Sequence, residues 1–125
     1  FETELTIRIT EINYGNHVGN DTFVSLLHEA RLRFFIHLGY SELDVEGKGI
    51  IMSDLAVVYK SQSCYGDRLT FEVGAGEFNK YGCDLFYLVT PHRSDKPVLK
   101  AKTGIVFFDH SQNKTVWFRV LSGKN

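Results

Sequence analysis

The sequence contains little of several residue types and patterns that mark particular protein classes. Only two cysteines and two prolines occur among 125 residues, which excludes a small scaffold held together by many disulfides. Fourteen Lys and Arg residues nearly balance fifteen Asp and Glu residues, and no basic run occurs, so the sequence predicts no nucleic-acid partner. No stretch approaches the roughly 18 apolar residues that a membrane-spanning helix requires, so no membrane partner is expected either.

The cysteine and histidine positions predict no metal site and no cofactor. The spacing of Cys64 and Cys83 matches no zinc motif, and the five histidines form no His-His-carboxylate pattern. Both cysteines are interpreted as reduced thiols that pack inside the fold, which predicts a cytoplasmic location. The chain length predicts a single domain over residues 1–125.

The beginning of the chain predicts one strand and one loop. Residues 4–10 alternate between apolar and polar types, which predicts a half-buried strand with Leu5, Ile7 and Ile9 on one face. Residues 11–20 are polar and contain several glycines and asparagines, a composition that is typical of a loop.

A long helix is predicted after this loop. From Phe23 to Leu38 apolar residues recur at steps of three and four, which indicates a helix with a broad apolar face. Gly39 fits the position just beyond its carboxyl end. The candidates for its N-cap are Asn20, Asp21 and Thr22. The residues expected on its polar side are His28, Glu29, Arg31 and Arg33.

The rest of the chain is predicted to form strands joined by short turns. Strands are expected over residues 50–60, from Leu69, from Cys83 and over 98–109, and residues 115–120 are expected to extend or cap the sheet. The turns are expected at residues 65–67, 79–82 and 92–96. The first of these strands is expected to place on one face Ile51, Leu55, Val57 and Tyr59.

This order of elements predicts an α+β fold. Short connections require antiparallel pairing between the later strands. One helix cannot cover a sheet of five or more strands unless the sheet curls around it. A generic α+β sandwich is the alternative, but the broad apolar face of the helix favours the curled sheet.

Three segments of the chain resemble a known family. Residues 11–20, Glu-Ile-Asn-Tyr-Gly-Asn-His-Val-Gly-Asn, resemble the loop Asp-x-Asp-x-x-Gly-His-Val-x-Asn of hotdog-fold acyl-CoA thioesterases. Phe23 followed by Glu-Ala-Arg at 29–31 resembles the aromatic residue and Glu-Ala-Arg of that family's helix. Tyr59 and Tyr-Gly-Asp at 65–67 resemble its strand and turn. Over residues 4–109 the chain is therefore similar to hydroxybenzoyl-CoA and acyl-carrier-protein thioesterases.

The resemblance implies a fold, an activity and an assembly. The hotdog fold wraps one long central helix in an antiparallel sheet of five or more strands. The implied activity is hydrolysis of an acyl-CoA or acyl-carrier-protein thioester to a free acid and a thiol. The implied assembly is a homodimer or homotetramer, in which sheets join edge to edge and active sites lie between subunits.

Asn13 departs from the family pattern. Many members have an acidic residue at this position, whereas asparagine cannot ionise and cannot act as a general base. Asn16 also replaces the glycine of the pattern. Asn13 can orient water or hold the carbonyl oxygen, and the alternative for its side chain is an Asx turn at the end of the first strand.

Thioester hydrolysis needs donors for the developing oxyanion and a group that activates water. Backbone N–H groups around Gly19 and Asn20, where the helix begins, are expected to hold the oxyanion, unless Asn20 is only a cap. His17 can take or give a proton at neutral pH, with a loop hydrogen bond as its structural alternative. Glu29 is the candidate base, and the alternative is an ion pair with Arg33 four residues on.

Lys80 is the candidate contact for the CoA phosphates, because it lies in a turn where hydroxybenzoyl-CoA enzymes carry basic residues. Its alternative is a solvated lysine of the turn, and Lys60 and Arg68 are weaker candidates. Two other functions are weighed beside hydrolysis. A hotdog module that binds acyl-CoA without cleaving it is favoured by Asn13. A hydratase of enoyl thioesters is disfavoured by the spacing from Glu11 to His17.

Overall fold

The computed structural model describes residues 1–42, 44–45, 48–109 and 114–115. The elements in chain order are β1 Glu2–Thr6, a 3-10 turn Ile9–Glu11, α1 Asn20–His37, β2 Gly49–Tyr59, β3 Arg68–Gly76, β4 Gly82–Pro91, β5 Leu99–Asp109 and β6 Lys114–Thr115. The strand expected over 115–120 is described only at Thr115, which pairs with Phe108, and the remainder of that prediction lies outside the described residues. No helix in the described part of the chain is long and apolar enough to cross a membrane.

The sheet is antiparallel and curls around α1. Its strand order is β1-β3-β4-β5-β2, with β6 paired to β5. Strands at the two ends of this order contact the same helix. The guanidinium of Arg33 donates to Thr3 Oγ1 of β1 at 2.8 Å, and the Tyr59 hydroxyl of β2 donates to the Asn20 carbonyl at 2.6 Å. Both end strands of the sheet thus contact one helix, as the predicted curled arrangement requires.

The core lies between α1 and the inner face of the sheet. The buried apolar residues of α1 follow the predicted steps of three and four: Phe23, Leu27, Ala30, Phe34 and Phe35. They share one cluster with inner residues of β3, β4 and β5, among them Leu69, Phe71, Leu85, Val89, Leu99 and Phe107. Because full burial of a large apolar side chain stabilises a fold by about 1.5–3 kcal/mol, this cluster holds α1 inside the sheet. Gly39, at φ +87°, follows the helix as predicted.

β1 ends earlier than the alternation predicts. The strand stops at Thr6, and the side chain of Ile9 is 68% exposed instead of facing inward. The Glu11 carboxylate accepts hydrogen bonds from the Arg8 backbone N–H at 2.8 Å and from the Thr10 hydroxyl. These bonds fold the chain into a 3-10 turn, so the expected face of Leu5, Ile7 and Ile9 is wrong at Ile9.

A β-bulge changes the predicted faces of β2. The register with β5 shifts between Met52 and Asp54, which adds one residue and reverses the alternation. Leu55, Val57 and Tyr59 pair with inner residues of β5, as expected, whereas Ile51 pairs with the outward-facing Val106. The prediction that Ile51 shares their face is therefore wrong.

Arg31 lies inside the fold and not on the polar side of α1. Its guanidinium donates to Glu42 Oε2 at 2.6 Å and to the Tyr87 hydroxyl at 3.4 Å. Burial acts to lower the pKa of Arg31, but these hydrogen bonds outweigh burial and raise it. The Tyr87 hydroxyl lies 2.8 Å from the Thr103 hydroxyl, and His28 Nε2 lies 2.7 Å from Glu42 Oε1. This polar network joins α1 to the following segment and to the sheet.

Candidate functional site

A cleft of about 640 Å³ opens at the amino end of α1. Its walls come from the loop before α1, the first turn of α1 and the end of β2. The residues that line it are Asn13, His17, Val18, Gly19, Asn20, Asp21, Phe23, Tyr59, Lys60, Ser61 and Gln62. The cleft thus brings together four of the predicted site residues, Asn13, His17, Gly19 and Asn20.

Asn13 shapes the loop that forms one wall of the cleft. Its Oδ1 accepts the backbone N–H groups of Gly15 at 2.9 Å and His17 at 3.3 Å, which is the Asx turn considered above. The Asn13 backbone N–H also donates to the His17 carbonyl at 2.9 Å. Because Oδ1 is engaged within the loop, Nδ2 is the side-chain group of Asn13 that can donate to a ligand.

His17 is held in place by backbone contacts on two sides. Besides its bonds with Asn13, it forms a β-bridge with Cys64, and the Val18 N–H donates to the Ser63 carbonyl at 2.9 Å. Its ring lies beside Gly15, where an added Cβ would come 3.5 Å from Nδ1. This wall of the cleft therefore carries a partly buried imidazole on a fixed backbone.

No side chain caps the beginning of α1. The N-cap is Gly19, so the prediction of Asn20, Asp21 or Thr22 as the N-cap is wrong. The first helical hydrogen bond runs from the Phe23 N–H to the Gly19 carbonyl at 3.1 Å. The backbone N–H groups of the first helical turn therefore have no carbonyl partner within the helix. Gly19 has no side chain that could accept them. They form the positive end of the helix dipole beside the cleft.

Tyr59 ties the first peptide of α1 to β2. Its hydroxyl donates to the Asn20 carbonyl at 2.6 Å, and its ring centroid lies 6.2 Å from that of Phe23. Burial and the nearby charge of Asp21 raise the pKa of Tyr59, so the hydroxyl remains a donor. The sequence signal for Tyr59 was its place in the family resemblance, which gave no role for it.

Among the described residues that line the cleft, Asp21 is the one that carries a carboxylate. A Cβ added to Gly19 would lie 2.8 Å from Asp21 Oδ1, so this carboxylate rests against the backbone of the N-cap residue. The sequence indicated Asp21 only as a candidate helix cap. The sequence signal for a role in the site was the position of this acidic residue in the first helical turn, close in sequence to Asn13.

Glu29 lies in a different place. It lines a second hollow of about 720 Å³ between β1 and α1, which shares no lining residue with the cleft. Its Oε2 accepts the Arg33 Nε–H at 2.8 Å, and Arg33 also donates to the Glu4 carbonyl at 3.1 Å. In this chain, Glu29 therefore forms the ion pair with Arg33 that was its structural alternative.

Lys80 also lies outside the cleft. It occupies the predicted turn between β3 and β4, where Asn79 Oδ1 accepts the Tyr81 and Gly82 N–H groups at 2.8 and 2.9 Å. Its Nζ lies 5.8 Å from the centroid of the Tyr81 ring. In the described residues, no group of three or more His, Cys, Asp or Glu side chains is placed to hold a metal ion.

The chain resembles solved structures of thioesterases over nearly its whole length. A 1,4-dihydroxy-2-naphthoyl-CoA thioesterase from Synechocystis superposes with a TM-score of 0.87 at 14% identity, covering 99% of this chain and 96% of that one. A gentisyl-coenzyme A thioesterase gives 0.82 at 12% identity, with 94% and 95% covered. A Staphylococcus aureus protein solved in complex with CoA gives 0.87 at 16% identity, with 98% and 79% covered. At these identities the likeness shows a common fold, so the predicted hotdog fold is confirmed.

The sequence itself identifies the family. None of the curated proteins compared with the chain matches it. The family model of the thioesterase-like superfamily matches residues 7–119, which is most of the chain. The match confirms the resemblance carried by the loop, helix and strand segments, and it confirms the thioester-hydrolase class at the level of the family. The chain belongs to the thioesterase-like superfamily.

Proposed function

We propose that this protein hydrolyses acyl-CoA thioesters to a free acid and CoA in the cleft at the amino end of α1. The observation that supports the proposal is the uncapped start of this helix, which opens into a cleft that also contains His17 and Asn13. Negative charge develops on the carbonyl oxygen as water attacks a thioester. Donors fixed in advance at that position stabilise the transition state.

Each group in the cleft has a place in this reaction. The thioester carbonyl oxygen accepts the N–H groups at Asn20 and Asp21, and Asn13 Nδ2 is an additional donor to the carbonyl or to water. Asn13 cannot remove a proton, because its amide does not ionise. The imidazole of His17 can donate and accept hydrogen bonds, which suits it to orient the attacking water or to stabilise the departing thiolate.

The chemistry of the walls favours a CoA thioester with a compact acyl group. The rings of Phe23 and Tyr59 form an apolar wall, and two of the similar structures act on naphthoyl-CoA and gentisyl-CoA compounds. Lys60 lines the cleft and is a candidate for the CoA phosphates. Lys80 remains a proposed phosphate contact if a turn of a second chain reaches this cleft.

We propose a homodimer or homotetramer formed through β2. Within one protomer β2 pairs with β5 on one side, and it leaves large apolar side chains exposed, namely Ile51, Met52, Leu55, Val58 and Tyr59. An exposed apolar edge strand is a template for pairing with another chain. Pairing there places the partner beside Tyr59 and therefore beside the cleft. We also propose a single domain and, since Cys64 and Cys83 are free thiols, a cytoplasmic location.

The direct test is a panel of aromatic and straight-chain acyl-CoA compounds, with released thiol measured as a function of time. We expect turnover of at least one member of the panel. His17→Ala should lower kcat by about tenfold or more, because a hydrogen bond to a charged group contributes about 1.5–3 kcal/mol and about 1.4 kcal/mol corresponds to a factor of ten in rate. Absence of thiol release from every compound by the folded protein would overturn the proposal.

Binding without cleavage is the second candidate function, and Asn13 is the observation that favours it. Calorimetry would then show tight binding of acyl-CoA while no acid or thiol forms over hours. Asn13→Asp would introduce a carboxylate at the position where many family members have one. Hydrolysis gained by that variant, in a protein that otherwise only binds, would support the binding module.

A further inference from the structure

We propose that Asp21 is the general base of this cleft and takes the proton from the attacking water, an inference that rests on the hydrolysis proposed above. Asp21 thereby takes the role that Asn13 cannot fill and for which the sequence indicated Glu29 or His17. The assignment follows from where the carboxylates near the start of α1 lie and from what engages them.

The carboxylates of Glu11 and Glu29 are engaged by other residues and lie outside the cleft. The Glu11 carboxylate accepts the Arg8 N–H and the Thr10 hydroxyl, and Glu29 accepts the Arg33 guanidinium at 2.8 Å. Both line the hollow between β1 and α1 and not the cleft. Of the described residues that line the cleft, Asp21 is the one with a carboxylate.

Asp21 also lies close to the oxyanion donors. Its Oδ1 sits 2.8 Å from the position of a Cβ on Gly19, so the carboxylate lies at the uncapped end of α1. On the opposite side, its charge contributes, after burial, to the raised pKa of Tyr59. Asp21 therefore faces the space between the helix start and the Tyr59 wall, where the thioester carbonyl is proposed to bind.

The proton and bond changes balance with water as the only co-reactant. The Asp21 carboxylate accepts one proton as the water oxygen forms a bond to the carbonyl carbon, and the N–H groups of the first helical turn hold the resulting oxyanion. Collapse of this intermediate breaks the carbon–sulfur bond. The thiolate takes the proton back from Asp21, which leaves a free acid, a thiol and the original carboxylate.

Two matched substitutions test the assignment on the full-length chain. Asp21→Asn and Glu29→Gln each replace a carboxylate of the same helix by its amide, one inside the cleft and one outside it. We expect Asp21→Asn to lower kcat by about 100-fold or more, as for loss of a general base, with KM changed less than about threefold. Glu29→Gln should keep at least about half of the wild-type kcat. Asp21→Glu, which keeps the carboxylate, should recover part of the lost rate.

The outcomes separate the inference from the proposed function. If the wild type releases thiol and Asp21→Asn does so at a similar kcat, hydrolysis stands and Asp21 is not the base. An equal loss of kcat in both amide variants would also overturn the assignment, because a position outside the cleft would then matter as much. If the folded wild type cleaves none of the acyl-CoA panel, the function and the inference fail together. Unchanged binding of a non-hydrolysable acyl-CoA analogue by Asp21→Asn shows that a lost rate reflects chemistry and not misfolding.

Discussion

Replacing Tyr59 by phenylalanine tests whether the start of α1 must be held in position for activity. The substitution removes the hydroxyl that donates to the Asn20 carbonyl at 2.6 Å and keeps the ring that lies beside Phe23. We therefore expect a folded protein in which the first peptide of the helix is less firmly fixed.

The magnitude follows from one hydrogen bond in a partly open site. A typical intramolecular hydrogen bond contributes about 0.5–1.5 kcal/mol net to stability, and Tyr59 is 38% exposed, so water can replace part of this bond. We expect a stability loss of about 1 kcal/mol or less. Removal of a whole oxyanion donor costs about 10²–10³ in kcat. A displaced donor should cost less, and we expect kcat to fall by about tenfold, which corresponds to about 1.4 kcal/mol.

The assay is steady-state thiol release from the best acyl-CoA substrate, together with thermal unfolding. Tyr65→Phe is the matched control, because Tyr65 is also exposed and does not line the cleft. Tyr65→Phe should match the wild type in both measurements. A Tyr59→Phe protein with wild-type kcat and wild-type stability would refute the idea that this hydroxyl positions the helix start.

Three further predictions concern stability and assembly. Glu42→Gln should cost about 2–3 kcal/mol in urea unfolding, somewhat less than the loss of a fully buried ion pair, because it removes the charged partner of buried Arg31. Burial opposes ionisation of Glu42, but hydrogen bonds from Arg31 and His28 lower its pKa below 4.5. The contribution of Glu42 to the free energy of unfolding is therefore present above pH 4.5 and is lost as the pH falls further. Glu42→Gln should flatten this acid dependence of stability. Gly82→Ala should lower the melting temperature, because the alanine Cβ would overlap the Ile105 carbonyl oxygen of β5. Val58→Lys on β2 should yield monomers in size-exclusion chromatography; an unchanged elution volume would contradict the proposed β2 interface.

The elements that periodicity defines were predictable from the sequence. Steps of three and four located α1, since its buried residues follow them over the full helix. The strands expected from Leu69 and from Cys83 are β3 and β4, and their buried residues include Leu69, Phe71, Leu85 and Tyr87 at alternate positions. In both cases each residue's position depends mainly on local geometry.

The errors arose where a distant or non-periodic contact decides the conformation. The bulge in β2 accompanies a hydrogen bond from the Gly104 N–H to Asp54 Oδ1 at 2.8 Å, and a contact between residues so far apart leaves no local pattern. Ile9 is exposed because the Glu11 side chain turns back on the chain. Arg31 is buried because Glu42 and Tyr87 accept its donors, and neither partner is recognisable from helical spacing.

The candidate site was predictable only in its local part. Asn13, His17, Gly19 and Asn20 lie close together in sequence, so the loop and helix start could be placed in one site before the fold was known. Tyr59 and Lys60 reach the same cleft because β2 ends beside α1. This proximity depends on the curl of the sheet. The separation of Glu29 from the cleft has the same origin, since it depends on which face of α1 meets β1.

The most direct test of the central claim is an amide NMR titration of the ¹⁵N-labelled protein with a non-hydrolysable acyl-CoA analogue. If the thioester carbonyl binds at the start of α1, the largest shifts should occur at the Asn20 and Asp21 N–H groups and in the loop at His17. Ser25 and Glu29, in the hollow between β1 and α1, should shift little. Saturable binding that moves the signals of that hollow and leaves Asn20 and Asp21 unchanged would contradict the claim.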